Sequence, residues 1–482
     1  MAVRKVKHLS LEERRARGQD ARVRTPVSAH SEWSPAEDRA DPVKLLEDQN
    51  TTREPDLVPV RHGRMMVSPF TFYRGSAKIM AADLAGTPTA DLSVQLCGDA
   101  HLSNFGAYAS PARTLLFDVN DFDETLPGPF EYDVKRLAAS FTIAARNNGF
   151  AKADVRAVTM TSVAAYREAM ADFAGMRTLD VWYAHLSEDE LLTATRRAVK
   201  QMGKGKKSAK GAPQPRKLGK RVVKTAQKAH TWDSLQALSK LGEMVDGRYR
   251  IVSTPPVVVP FRELAEVYGI FPKRLQNVVD NQFQDYRSTL QPDRRQLLER
   301  FETVDMARKV VGVGSVGTRA FILLLQGGDD ADPLFLQVKE ATASGVEDHL
   351  PKSRYRQPGE RVVQGQRLMQ ASSDIFLGWA KGEQANRYYY WRQLRDMKGS
   401  AEVETMPPQA LAFYARICGW TLARAHARSG DPAAIAAYLG TSDRFDKSIT
   451  GFSERYADQN DRDYQEFTDA VQTGRITAVE GV

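Results

Sequence analysis

The chain has 482 residues, of which 42% are hydrophobic and 27% charged, with a net charge of +8 and two cysteines, Cys97 and Cys418. That length allows two or three domains with large cores, and the composition excludes fibrous and disordered classes. Apolar runs such as Ala320 to Leu325 fall far short of a membrane span, the charged N-terminus "MAVRKVKHLSLEERRARGQDARVR" lacks the apolar stretch of a secretory signal, and two cysteines make no disulfide framework. A cytoplasmic protein with no membrane partner is expected.

Residues 1–60 read as a charged, Pro-containing arm with short helices. Residues 61–195 follow as a mixed region. "SPFTFYRGSAKIMAADLAG" predicts one helix with Ser68 as N-cap, Pro69 at the first position and Gly86 as the stop. "LSVQLCGDAHLSNFG" is a short strand entering a polar turn, and "TLLFDVNDFDE" is a strand ending in carboxylates. "PFEYDVKRLAASFTIAARNNG" and the stretch from Lys152 to about Met176 predict two long helices. Residues 196–230 form a basic insertion: Arg196 to Lys228 holds thirteen Lys or Arg and no Asp or Glu. Such a block is either a solvated insertion or an arm for polyanions such as nucleic acid; no aromatic residue interleaves it, so base stacking is not indicated. Residues 231–304 read as helical, 305–400 as several strands around one helix, and 401–482 as C-terminal helices beginning with "PQALAFYARICGWTLARAHARSG".

The glycine triplet in "VVGVGSVGTRAFILLL" (Gly312, Gly314, Gly317) has GxGxxG spacing, which two unrelated folds use. A dinucleotide-binding turn would start a helix at Gly317. Here an apolar run, a turn cluster "QGGDDADP" and a second strand "LFLQVK" follow instead. Strand, glycine turn, strand, loop, strand is the order of a kinase phosphate-covering hairpin, with Ser315 inside the turn and Lys339 as the phosphate-pairing lysine. A plain glycine hairpin is the remaining alternative. The acid that would anchor Lys339 is expected on the next helix, where Glu360 is nearest.

The upstream "GDAHLSN" places Asn104 five residues after Asp99, the spacing of a kinase base and its metal-ligating Asn. With His101 two residues after the Asp, it resembles the "GDxHxxN" of aminoglycoside and choline phosphotransferases. Where those enzymes often have His, this chain has Cys97, which leaves one loop-stabilising hydrogen bond unassigned. In "FDVNDFDE", Asp121 before Phe122 resembles the Asp of a DFG-type metal loop, with Asp118 as the rival; oxygen ligands on a short loop suit Mg2+ or Mn2+. The bland reading is a calcium-like or solvated turn. Asp133 in "GPFEYDVKRLAAS" resembles the Asp that buttresses a catalytic loop, or is a solvent-facing acid. Arg74 in "FYRG" is either a structural ion-pair partner or a phosphate ligand.

These parts stand in the wrong order for a kinase, which runs glycine loop, lysine, helix, hinge, catalytic loop and metal loop. The expectation is an α+β, protein-kinase-like two-lobe fold in circularly permuted order, helical lobe first and β-rich nucleotide lobe late. "TLARAHARSG" resembles the helix that normally precedes the catalytic loop. The segments "EWSPAEDRADPVKLLEDQN", "LVPVRHGRMMVSPFTFYRG" and "RVVQGQRLMQASSDIFLGW" resemble a large bacterial family catalogued as domain of unknown function 2252, over nearly all of residues 30 to 465. The motifs imply an ATP- and Mg2+-dependent phosphotransferase with Asp99 and His101 at the acceptor and Lys339 at the nucleotide, acting on an unknown small-molecule or protein hydroxyl. A nucleotidyl transferase, or a non-catalytic nucleotide- or nucleic-acid-binding module, are the alternatives.

Overall fold

The computed structural model describes residues 8–202, 234–264, 272–310, 312–329, 332–383, 386–394, 399 and 401–481. Most of the basic insertion therefore lies outside the described residues. No helix among the described residues is long and apolar enough to cross a membrane.

The chain is a mixed α+β protein. Its helical part is built on the Phe130–Asn147, Lys152–Ala174, Pro408–Ser429 and Arg444–Gln472 helices. The second and third of these pack closely because Gly419 has no side chain: a Cβ there would stand 2.2 Å from the Ser162 carbonyl oxygen. The Phe130–Asn147 helix is buried along nearly its whole length, which its mostly apolar stretch from Leu137 to Ala145, with the hydroxyls of Ser140 and Thr142 hydrogen-bonded, makes possible. The N-terminal arm is more ordered than its charge suggested. A 14-residue helix, Leu11–Arg24, starts with a capping box between Ser10 and Glu13 and lies against the Pro432–Leu439 helix through Gly18.

The predicted helix at 68–86 is two helices. Ser68 caps the first, Pro69–Gly75, in a box with Thr71, and the second, Ala77–Ala85, stops at Gly86. The break at Ser76 frees the Gly75 carbonyl to accept from the buried Arg61 at 2.9 Å.

Near the helical part, β1 (Ser93–Leu96) leads into the Cys97–Asn104 loop, and β2 (Phe105–Ala109) turns back on β3 (Leu115–Val119) as an antiparallel hairpin. β4 (Leu126–Pro129) pairs antiparallel with β1, which brings the turn between β3 and β4 beside the loop that β1 feeds. A two-residue strand, β5 (Leu186–Ser187), extends the hairpin.

The stretch read as helical, 231–304, also carries strands. β6 (Gly242–Val245) and β7 (Arg248–Ile251) form a hairpin whose Asp246-Gly247 turn has both residues at positive φ, 51° and 76°. Asp-Gly is the pair such a turn favours. β8 (Val258–Pro260) is the edge of a six-stranded antiparallel sheet with β9 (Glu302–Lys309), β10 (Ala320–Gln326), β11 (Pro333–Glu340), β12 (Gly378–Lys381) and β13 (Tyr388–Gln393). The strand order is β12-β13-β11-β10-β9-β8. The Pro358–Met369 helix lies in the chain between β11 and β12. Residues directly opposite in this sheet share a face. Phe321, Leu323, Leu336, Val338 and Trp391 pack with Tyr286 and Phe283 of the Pro272–Ser288 helix. The other face carries Lys339, and its apolar part, Ala307, Ile322, Leu324 and Phe335, is covered by Ala237, Leu238 and Leu241.

Candidate active site

Lys339 is the penultimate residue of β11, and the register sets Tyr390 of β13 directly opposite it. Its Nζ lies 2.6 Å from Asp123 Oδ2 and 3.8 Å from Asp121 Oδ2, although Asp121 is 218 residues earlier (339 − 121). The Tyr390 hydroxyl donates to Asp123 Oδ1 at 2.6 Å. Between the two acids Phe122 is buried in the core, so the carboxylates on either side face out of it. Their side chains are 32% and 29% exposed, whereas Lys339 is 3% exposed. The amino group is thus buried, while the carboxylates beside it reach solvent.

Arg361 fixes the carboxylate loop from behind: its guanidinium donates to the carbonyls of Asp123, Thr125 and Thr342 at 2.8, 2.6 and 2.9 Å. Arg361, not Glu360, is what the Pro358–Met369 helix turns toward the cluster. The expected Glu360 anchor for Lys339 is replaced by Asp123. The reason is helix rotation: neighbouring residues point about 100° apart, so with Arg361 on the carbonyls of Asp123, Thr125 and Thr342 its neighbour Glu360 is turned aside.

The charges here are strongly coupled. Burial works against the Lys339 ammonium, but Asp121 and Asp123 outweigh it and hold its pKa above the usual range. Burial also favours the neutral carboxyls. Asp123 overcomes this through Lys339 and the Tyr390 hydroxyl and is held below the ordinary value, while Asp121 is raised by burial and by the charge of Asp123.

The Asp99 loop stands on the other side. Asp133, in the first turn of the Phe130–Asn147 helix, accepts from the backbone amides of Cys97 at 2.7 Å and Gly98 at 3.0 Å. His426 Nε2 lies 3.1 Å from the same carboxylate. The bond left unassigned by Cys97 is therefore supplied through main-chain amides, which any residue at 97 can donate. Asn104 Nδ2 donates to the Asp99 carbonyl at 2.8 Å, and the Tyr414 hydroxyl donates to the carbonyls of Leu102 and Phe105. The Asp99 carboxylate takes two contacts from Arg136, both 2.8 Å and both on Oδ1, and its Oδ2 is 3.7 Å from His101 Nε2. Burial raises the Asp99 carboxyl, with Arg136 opposing. His101 is buried and, by that burial, held well below the usual imidazole range, so it is neutral.

The glycine turn links β9 to β10, as the hairpin reading requires, and a strand rather than a helix follows Gly317. A dinucleotide-binding turn is excluded. Gly312 and Gly317 take positive φ of 64° and 86°, conformations open to glycine. Arg53 donates to the Val316 carbonyl, Arg64 to the Gly312 carbonyl at 2.6 Å, and the Glu54 amide to the Gly317 carbonyl at 2.7 Å. Ser315 Oγ is 3.5 Å from Asp123 Oδ2, and a Cβ on Gly314 would stand 3.1 Å from the Arg74 carbonyl oxygen.

Asp118, the rival metal ligand, is engaged elsewhere. It is fully buried against Arg424 and also accepts from the amides of Ala371 (2.8 Å) and Val119 (2.9 Å). Its position inside β3, opposite Gly106, turns it to the helical core and away from the Asp121 cluster. Among the described residues no group of three or more His, Cys, Asp or Glu could hold a metal ion. Asp121 and Asp123, 3.8 and 2.6 Å from the Lys339 ammonium and both partly exposed, are hard oxygen donors of the chemical kind that Mg2+ takes.

Sequence reasoning missed Asp123 as the lysine's partner, and Tyr390, Arg136, Arg361 and Arg392, whose guanidinium donates to the Asn120 carbonyl at 3.1 Å. Asp123 had a signal: it is two residues from Asp121, across a buried Phe. Arg136 follows Asp133 by three residues, one helical turn, so both reach the same loop. Tyr390, Arg361 and Arg392 had no local signal.

A family profile described as an uncharacterised protein conserved in bacteria (DUF2252) matches residues 53–470. The chain belongs to that family. The match takes in both the Asp99–Asp123 region and the Lys339 sheet. No curated protein and no solved structure matches the chain.

Proposed function

We propose that the chain is an ATP- and Mg2+-dependent phosphotransferase of protein-kinase-like type, permuted in chain order and acting on a hydroxyl acceptor. The observation that carries this reading is the Lys339 ammonium 2.6 and 3.8 Å from Asp123 and Asp121, on the second strand after a glycine turn. The chain order of β9, glycine turn, β10, β11 with Lys339, helix, β12, β13 and the Pro408–Ser429 helix matches glycine loop, lysine, helix and hinge in a kinase. In a kinase the next segment would be the catalytic loop. Here the Gln95 amide of β1 donates to Ser429 Oγ at 3.0 Å, so the end of that helix abuts the strand entering the Asp99 loop from 334 residues away. A permuted fold keeps such contacts while moving its termini.

In this reading Asp99 accepts the acceptor's hydroxyl proton, aided by its raised pKa and by Arg136, which fixes Oδ1 and leaves Oδ2. Lys339 pairs with phosphate oxygens. Asp121, Asp123 and Asn104, whose Nδ2 already donates to Asp99 and whose oxygen remains, would hold Mg2+. The cation supplies neutralisation of phosphate charge.

The test is label transfer. γ-Labelled ATP marks product in phosphoryl transfer, whereas α-label with release of pyrophosphate marks nucleotidyl transfer. Calorimetry supplies the acceptor-independent check: Asp121→Asn weakens Mg2+-dependent ATP binding, and Asp118→Asn leaves it unchanged in the folded fraction. Equal affinities for wild type and Asp121→Asn sink the metal assignment.

A further inference from the structure

Each arginine around the cleft has a partner except one. Arg136 holds Asp99, Arg361 the Asp123 carbonyl, Arg392 the Asn120 carbonyl, and Arg53 the Val316 carbonyl. Arg74 makes no hydrogen bond or ion pair among the described residues, and its Nε is buried without a partner. Its nearest aromatic ring, Phe70, is 6.0 Å away.

The placement of Arg74 is specific. The Pro69–Gly75 helix is wedged between the two halves of the site. On one side Arg136 donates to the Tyr73 carbonyl at 2.7 Å with the same guanidinium that binds Asp99, and its Cζ lies 3.8 Å over the Tyr73 ring. On the other, the Arg74 carbonyl lies against Gly314, close enough that a methyl group there would be crowded. The acids whose charge acts on Arg74 are Glu404 and Asp99. A half-buried guanidinium that forgoes charge-assisted hydrogen bonds is costly unless a ligand completes them, and its planar fork matches the oxygens of a phosphoryl group.

We propose that Arg74 receives the terminal phosphoryl group of a bound nucleoside triphosphate, so that the site distinguishes triphosphate from diphosphate; this rests on the phosphotransferase reading. The group lies between the glycine turn and Asp99. As the acceptor oxygen bonds to phosphorus, its proton passes to Asp99, the bond to the bridging oxygen breaks, and that electron pair leaves with the diphosphate. Arg74 exchanges no proton and binds the oxygens whose charge is being redistributed.

The experiment is calorimetry on the full chain with ADP and with the non-hydrolysable analogue AMP-PNP, each with Mg2+, for wild type, Arg74→Gln and Arg74→Lys. Arg74→Gln is expected to weaken the analogue by about tenfold to hundredfold, the loss of one charged hydrogen-bonding partner, and to leave ADP unchanged. Arg74→Lys retains the charge without the fork and recovers part of the loss. Because Arg74 has no protein partner, thermal unfolding should be little changed in either variant. Equal weakening of both ligands, or of neither, overturns the role of Arg74 while leaving the phosphotransferase reading in place. A wild-type chain that binds neither nucleotide overturns both.

Discussion

Asp118 and Asp123 are five residues apart in one loop-and-strand segment, and each is paired with a cation from far along the chain, yet they differ in access to water. Asp118 meets Arg424 with both side chains 1% exposed, and its other contacts are backbone amides. Asp123 meets Lys339 with the lysine 3% and the aspartate 29% exposed, and Asp121 is at 3.8 Å. In the first pair both carboxylate oxygens are engaged inside protein. The second is closed on the cation's side and open on the acid's. A closed pair fixes how β3 sits on the helical core. An open pair keeps a desolvated ammonium beside two carboxylates that reach solvent, the feature on which the proposed phosphotransferase reading rests.

Removing the cation should separate the two most clearly. Arg424→Ala leaves Asp118 charged, buried and without its partner, and is expected to cost about 3–5 kcal/mol of stability, read by urea denaturation. Asp118→Leu combined with Arg424→Met replaces both charges and should recover most of that loss. A single-variant loss below about 1 kcal/mol would mean that water reaches Asp118 and that the pair is not closed.

Lys339→Met should have the opposite profile. Asp123 keeps the Tyr390 hydroxyl and its solvent contact, so a stability loss of about 1 kcal/mol or less is expected. ATP·Mg affinity should fall about tenfold or more by calorimetry. If Lys339→Met destabilises the fold as much as Arg424→Ala does and leaves nucleotide affinity unchanged, the Lys339 pair is scaffold and the comparison collapses.

What could be read in advance follows the same division. The glycine turn, Lys339, the Asp99–Asn104 spacing and Asp133 were legible because each is a short pattern whose chemistry dictates the spacing. The expectation that they share one cleft came from the order of motifs, since no local pattern joins residues 121 and 339. Glu360 failed as a choice because sequence offered an acid on the right helix but not its rotation: the adjacent Arg361 faces the carbonyls of Asp123 and Thr125. Asp118 was weighed as a ligand because its partner Arg424 lies 306 residues away and leaves no mark nearby. The β6–β7 hairpin, by contrast, carried its Asp-Gly turn in plain view, masked by helical sequence on both sides. The arm's helix also had a visible capping box, Ser10 and Glu13, obscured by the surrounding charge.

The smallest effect expected is one of pH, and it extends the comparison to a second closed group, one with no guanidinium. Glu131, buried in the Phe130–Asn147 helix, accepts from the Ala90 amide at 2.7 Å and lies 3.9 Å from His30 Nε2, which in turn contacts the Tyr438 hydroxyl at 2.6 Å. Burial raises Glu131 to about 7, lowers His30 to about 3, and lowers Lys135 to about 8. Between pH 4.5 and 6.5 the folded state holds a proton on Glu131 that the unfolded chain releases, so this contribution falls as pH rises. Over the same window the unfolded chain binds a proton on His30 that the folded state refuses, so that contribution rises with pH. Lys135 is protonated in both states there and adds no slope. The two opposing slopes are each up to about 1.4 kcal/mol per pH unit, and they cancel. Wild-type stability should therefore be nearly flat from pH 4.5 to 6.5 as far as this cluster is concerned. Glu131→Gln removes one side, and stability relative to wild type should then decline progressively as pH drops from 6.5, with the slope set by His30. Urea titrations at half-unit pH steps decide it: parallel profiles for wild type and Glu131→Gln would show that water enters this cluster and that it belongs with the open pair at Lys339 rather than with Asp118 and Arg424.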